Sequence, residues 1–214
     1  LIIKNPLLSK LFSPLSFHPL LKSQEKYAAT INDTSSAYRI NNSWGDKDPL
    51  LKIHKSDFEK GKRVLDEMGI SFSEKFVCIH ARDGGYSPSD EYLHSYRNSS
   101  IESFIPAIEY LFSQNIKSIR MGDSSMIPAP GIEGLIDYAL SDYKSDFMDV
   151  FLCSQCLFFL GSNSGIFELA GVFGRPVATV NMAPITSLPR GKNDLSIPML
   201  YLKLPEKKIL SFWG

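Results

Sequence analysis

Neither sign of charge dominates this 214-residue chain: 23 Lys and Arg stand against 23 Asp and Glu, and no long run of like charge occurs. Binding to nucleic-acid backbones calls for a basic excess or a basic stripe, so nucleic acid is not expected as a partner. The 3 cysteines are too few for a disulfide framework and point to a reducing compartment. A clean apolar run of about 20 residues, the length of a membrane span, is also missing. Leu1 to Leu21 is interrupted by Lys4, Pro6, Lys10, Pro14, His18 and Pro19, while Phe147 to Leu160 is short and carries Asp149 and Gln155. The same prolines break up any signal-peptide core.

Several catalytic signatures are absent as well. There is no G-x-G-x-x-G for a dinucleotide and no G-x-x-x-x-G-K-[ST] for a P-loop. The esterase elbow G-x-S-x-G is missed because Asn163 takes the serine place, and no histidine follows His94 to complete a triad in the usual order. Cys153 and Cys156 form a C-x-x-C with no second pair; lying where a helix ends, they read as buried structural thiols. Asp46-Lys47-Asp48 lacks the apolar strand that should precede a metal-binding D-x-D and reads as a solvated turn. No metal site is expected.

What is present is globular. Hydrophobic residues make up 43% and charged residues 21% of the chain, too apolar a mixture for disorder. Residues 1–55 are weakly patterned, with Ser, Asn and Asp clustered from Thr30 to Asp48, and read as an extended arm or the remnant of a preceding domain. Because the chain starts at Leu1 rather than Met and stops soon after the apolar Ile209 to Trp213, a fragment of a longer protein is expected.

From Ser56 onward the pattern sharpens into residues 56–214 as one domain. A Ser56/Glu59 capping box opens a helix that stops at Gly69. Lys75 to His80 has the apolar density of a buried parallel strand, and a long loop runs from Arg82 to Asn98. A helix from Ser99 to Gln114 tolerates Pro106 if regular helix begins near Ser103. Strands follow at Ile116 to Met121, Leu135 to Ala139, Leu157 to Leu160, Val177 to Val180 and Met199 to Leu204, with helices at Ser145 to Ser154 and Ser164 to Phe173. This alternation predicts an α/β fold: a Rossmann-like parallel sheet with helices on both faces.

Ligands of open α/β sheets bind beyond the carboxyl ends of the strands. Four polar loops lie there: His80 to Tyr86, Arg120 to Ser125, Gly161 to Gly165, and Asn181 to Thr186. Gly161-Ser162-Asn163-Ser164-Gly165 reads either as a phosphate cradle opening a helix or as plain capping by Ser162 or Asn163. Arg82 offers a guanidinium fork for phosphate oxygens, or a structural salt bridge to Asp83 or Asp123; Arg97 is a further arginine candidate. His80 ends the strand beside Arg82 as either a site group or a structural histidine, and Glu168 faces a ribose or water.

The runs Phe76 to Asp83, Arg97-Asn98-Ser99, Ile119 to Asp123 and Ser145 to Cys153 resemble a bacterial glycosyltransferase family associated with surface-polysaccharide clusters. The resemblance extends over roughly Ser56 to Ile185. More distantly, His80-x-Arg82 and the stretch Asp149 to Ser164 resemble the fucosyltransferases of GT-B fold.

The resemblance implies the C-terminal, donor-binding half of a GT-B enzyme, with residues 1–55 left from the acceptor half. It implies that Arg82 holds the donor diphosphate, that Ser162 and Ser164 add phosphate contacts, and that Asp123 touches base or ribose. His80, Arg97 and Asn163 complete the expected binding set, and Asp83, which departs from the fucosyltransferase pattern, stands near enough to Arg82 to be suspected as the base. The expected reaction moves a sugar from a nucleotide-activated donor to a hydroxyl of a cell-surface or lipid-linked glycan, without metal or bound cofactor, in the cytoplasm or at the inner membrane face. A non-catalytic phospho-ligand or glycan-binding module, a GT-B-type sugar-nucleotide epimerase, and a scaffold that has lost activity are the other readings.

Overall fold

A computed structural model of the chain describes residues 43–49, 51–184 and 191–210. Residues 1–42, with most of the expected arm, and Ile185 and Thr186 of the last candidate loop lie outside the described residues. The chain divides into two compact units, Leu1–Lys47 and Asp48–Gly214. In the first, the described part is a turn in which the Trp44 indole N–H donates to the Lys47 carbonyl at 3.2 Å. Everything below concerns the second.

Helix α1 (Lys55–Glu67) is capped by the His54 imidazole, which accepts from the Ser56 N–H, rather than by the expected Ser56/Glu59 box. Gly69 ends it at φ +77, a left-handed conformation that glycine adopts without strain. Strand β1 (Lys75–His80) follows, buried at every residue but the first. Side chains alternate across a strand, so Phe76 and Cys78 join one core cluster and Val77 and Ile79 the opposite one. That double burial is why its sequence is continuously apolar.

The loop after β1 holds a short helix α2 (Glu91–His94) between two 3-10 turns. Next comes a 3-10 turn at Ile101–Phe104, capped by the Ser100 hydroxyl, then α3 (Ile105–Ser113) with Pro106 in its first turn, where no backbone donor is lost. Strands β2 (Ile116–Arg120) and β3 (Leu135–Ile136) run outward on one side of β1. Helix α4 (Asp146–Gln155) has Ser145 as its N-cap, the hydroxyl accepting from the Met148 N–H at 3.3 Å. It returns the chain to β4 (Phe159–Gly161) on the other side of β1, followed by α5 (Phe167–Val172), β5 (Val177–Met182) and β6 (Leu195–Pro198).

The six strands are all parallel, in the order β3-β2-β1-β4-β5-β6. Helix α3 packs through Ile108 and Leu111 on the Val77/Ile79 face; α1, α4 and α5 pack through Leu65, Phe151, Leu152, Phe167 and Ala170 on the Phe76/Cys78 face. The fold is thus a doubly wound α/β sheet with its order reversing between β1 and β4. Gly61 of α1 lies directly on the Phe151 ring of α4, where a Cβ would overlap it. Cys78, Cys153 and Cys156 are all buried and unpaired as disulfides, and burial pushes the Cys78 thiol well above its ordinary pKa.

Three segments differ from expectation. The strand expected at Leu135 to Ala139 stops at Ile136, and Tyr138–Leu140 is a 3-10 turn. The helix after β4 starts at Phe167 instead of Ser164, because the Ser164 hydroxyl accepts from the Ile166 N–H and spends those residues on a tight turn. The strand expected at Met199 to Leu204 is replaced by β6 and by a separate hairpin, β7 (Leu202–Lys203) with β8 (Lys208–Ile209). Asp194 accepts the Val177 N–H at 2.8 Å and Ser196 bonds the Thr179 hydroxyl at 2.7 Å, so polar side chains seat β6 while Leu195 and Ile197 face outward. Pro198 closes it as an edge strand.

Candidate functional site

The reversal of strand order leaves a crevice outside the carboxyl ends of β1 and β4, since the chain departs from them to opposite faces. His80 pairs with Gly161 in register, and beyond that pair the two strands are joined by their own loops. The Ser162 N–H donates to the His80 carbonyl at 3.0 Å, and the Arg82 N–H donates to the Ser162 Oγ at 2.8 Å. Gly161 is required here: a Cβ would come within 2.8 Å of the His80 carbonyl oxygen.

Arg82 and the Gly161–Ser164 turn therefore stand side by side at one edge of the sheet. Ser162 is fully buried with its hydroxyl accepting from backbone, so it joins the strands rather than facing the crevice. Asn163 is buried too, and its Nδ2 donates to the Ala183 carbonyl at 2.5 Å, fixing the segment after β5. Ser164 remains half-exposed beside them. Because α5 is short and begins at Phe167, it does not present free amides at Ser162 to Ser164 as a helix opening there would.

His80 is 7% exposed and its Nδ1 has no hydrogen-bond partner among the described residues. Burial, then the positive charge of Arg120, lowers its pKa to about 4 from 6.5, with Asp123 opposing and Arg82 adding to the drop. The ring is neutral at physiological pH. Asp123, after β2, accepts from the Ser125 N–H at 2.8 Å and hydroxyl at 2.5 Å. Asp83 accepts from the Gly85 N–H at 3.1 Å. Both carboxylates shape their own turns.

The Arg82 guanidinium is not paired with Asp83 or Asp123, the two acids nearest in sequence reasoning. It donates to the Asn98 side-chain oxygen and, at 3.4 Å, to the His94 carbonyl, and lies 3.6 Å from the Glu91 carboxylate. Asn98 in turn donates through its Nδ2 to Glu91. The Ser99 N–H donates to the Arg82 carbonyl at 2.8 Å, closing the loop on itself. Arg97 is half-buried just before Asn98, its Nε without a partner among the described residues.

Sequence reasoning missed Glu91, and it named Asn181 only as the start of a candidate loop. Nothing near Glu91 in the sequence marks it, for the contact exists only once the loop folds back over Arg82. Asn181, at φ +54 near the end of β5, reaches the Ser99 hydroxyl with its Nδ2 at 3.4 Å. Asn98 had a signal in the Arg97-Asn98-Ser99 run. Two surface clefts, one lined by Ile105, Phe112 and Pro130 and the other by Pro49, Phe58 and Arg175, lie away from this crevice. Among the described residues no group of three or more His, Cys, Asp or Glu side chains is placed to hold a metal ion.

Strand order, crossover and crevice define a doubly wound, Rossmann-like α/β domain. Its fold is that of a solved bacterial transferase: the Escherichia coli ADP-heptose LPS heptosyltransferase II superposes with a TM-score of 0.50 over 72% of this chain and 45% of its own, at 10% identity. The glycosyl transferase family 9 structure from Veillonella parvula DSM 2008 matches with a TM-score of 0.45 over 69% of this chain and 41% of its own, at 11% identity. KpsC of Thermosulfurimonas dismutans, a beta Kdo 2,7 transferase, gives 0.34 over 75% and 59%, at 11% identity. The chain thus spans 41–59% of the length of these structures. No family model matches the chain, and no curated protein matches it in sequence.

Among the described residues no helix is long and apolar enough to cross a membrane.

Proposed function

We propose that this domain binds the diphosphate of a nucleotide-activated sugar and serves glycosyl transfer to a hydroxyl of a cell-surface or lipid-linked glycan. The observation that carries this reading is the placement of Arg82 and the Gly161–Ser164 turn just past the carboxyl ends of adjacent strands at the switch point, joined by the 2.8 Å bond from the Arg82 N–H to Ser162. The shared fold with a sugar transferase supports it, as does the order of motifs that resembles glycosyltransferases.

In this reading Arg82 stabilises the negative charge that develops on the leaving diphosphate, and Ser164, half-exposed on the neighbouring turn, supplies a hydroxyl donor. Ser162 and Asn163 act behind them by holding the turn and the end of β5 in place. His80, kept neutral, adds no charge and is a hydrogen-bonding wall rather than a proton acceptor near pH 7. Asp123 is assigned the ribose or base contact in this reading. The countercharge comes from the guanidinium, so no metal is required by the proposal. The setting in this reading is the cytoplasm or the inner face of the membrane, in line with a reducing compartment.

Turnover of a panel of UDP-, GDP-, CMP- and dTDP-sugars by the full-length protein tests this, with Arg82→Ala as the control. Loss of about 10²–10³ in rate is expected, the usual cost of removing one such contact. Unchanged donor affinity and turnover in Arg82→Ala would overturn the assignment. Product formed without acceptor would identify an epimerase, and binding without turnover a ligand-binding module.

A further inference from the structure

We propose that the space filled by the Glu91 carboxylate is the seat of a phosphate group, and that Glu91 is a placeholder which a diphosphate displaces. The proposal rests on the reading of Arg82 as a diphosphate-binding group and names the remaining parts of that site: Asn98, Gly84 and Glu91.

Two donors converge on this carboxylate. Arg82 Nη1 lies 3.6 Å away, and Asn98, which orients the guanidinium through its side-chain oxygen, turns its Nδ2 onto the same anion. Carboxylates and phosphates are held by the same donors in the same fork geometry. Glu91 fills the seat incompletely: its Oε2 is buried yet accepts no hydrogen bond among the described residues, and 3.6 Å is too long for one from Arg82. A phosphate, with more oxygens on a tetrahedral centre, has an acceptor for each donor.

The backbone is bare where the anion lies. A Cβ at Gly84 would stand 2.5 Å from the Glu91 carboxyl carbon and 2.7–2.8 Å from its oxygens. The cation is more enclosed than its counterion: the Arg82 side chain is 11% exposed and that of Glu91 29%, with one carboxylate oxygen buried, on a helix of 4 residues within a surface loop. Rotation about the Glu91 side chain releases the carboxylate to water without unpacking any core residue. The cradle left behind is a cation, an amide donor and a side-chain-free backbone position. While Glu91 stays, an incoming anion meets its negative charge; its removal therefore raises affinity.

Calorimetric titration of the whole chain with inorganic pyrophosphate, in wild type, Glu91→Gln and Arg82→Ala, tests this. Glu91→Gln keeps the shape and the Asn98 contact but removes the charge, and is expected to bind pyrophosphate about tenfold tighter, with Arg82→Ala losing binding. Equal or weaker binding by Glu91→Gln, with loss in Arg82→Ala, overturns the placeholder and leaves the Arg82 reading standing. Binding unaffected by Arg82→Ala, or absent from both wild type and Glu91→Gln, overturns both. Thermal melts accompany each titration, and Glu91→Ala carries the same expectation should the glutamine variant not fold.

Discussion

Two arginines lie at or just past the ends of neighbouring strands of the same sheet and have opposite fates. Arg120, at the end of β2, is 4% exposed and gripped by Asp137 at 3.0 and 3.2 Å, with the Ile127 carbonyl at 2.9 Å as a third acceptor. Asp137 also accepts the Ala129 N–H at 2.9 Å, so the pair ties down the whole connection from β2 to β3. Arg82, two residues past the end of β1, faces a carboxylate at 3.6 Å that belongs to a surface loop. The two carboxylates are about equally exposed, 25% and 29%, and differ in how closely the arginine holds them. On the reading proposed above, Arg120 is a structural bolt and Arg82 a ligand group, the difference being whether the counterion can leave.

The sharpest way to break this contrast is stability. Arg120→Met removes the cation from Asp137, which is itself 25% exposed, and should cost about 1.5–3 kcal/mol in denaturant unfolding, the range for hydrogen bonds to charged groups. A loss similar to that of Arg82→Ala would erase the distinction.

His80 lies between the two and reports on both. Its folded pKa of about 4 is below the 6.5 of the free side chain, so the unfolded chain takes up the proton first. Stability contributed by the neutral ring is complete above about pH 6.5 and lost as the pH falls through about 4, a total of about 3 kcal/mol. His80→Gln should flatten the denaturation profile within that window. By NMR titration, Arg120→Met should raise the His80 pKa more than Arg82→Ala does, because Arg120 is the larger charge effect; the reverse order would contradict the geometry.

The smallest expected effect is on folding by Arg82→Ala: about 1 kcal/mol or less, since Glu91 can turn to water once its partner is gone. Equilibrium unfolding beside pyrophosphate titration reads both quantities, and a large stability loss in this variant would make Arg82 a second bolt.

Much of the framework was legible in the residues. Lys75 to His80 is a strand with the expected ends, Gly69 stops its helix, Ser145 caps the next, and Pro106 sits in a first turn as a proline must. These depend on neighbours in the chain, and local chemistry specifies them. β6 was not legible, because its apolar residues face outward and the groups that seat it, Asp194 and Ser196, look like loop residues until Val177 and Thr179 arrive alongside. The helix expected from Ser164 starts at Phe167, because the Ser164 hydroxyl accepts the Ile166 N–H in a tight turn ahead of it.

The sequence by itself determined the class of fold and the loops that meet at its carboxyl edge, since alternating buried strands and amphipathic helices admit few topologies. Only the tertiary structure decided the job of each side chain there. Ser162 and Arg82 lie 80 positions apart yet share a hydrogen bond, Asn163 is committed to the end of β5, and the counterion of Arg82 is Glu91 rather than either adjacent aspartate. The physical reason is that a polar group is spent on whichever partner the fold brings within reach as it leaves water, and that partner is chosen by the path of the backbone through space.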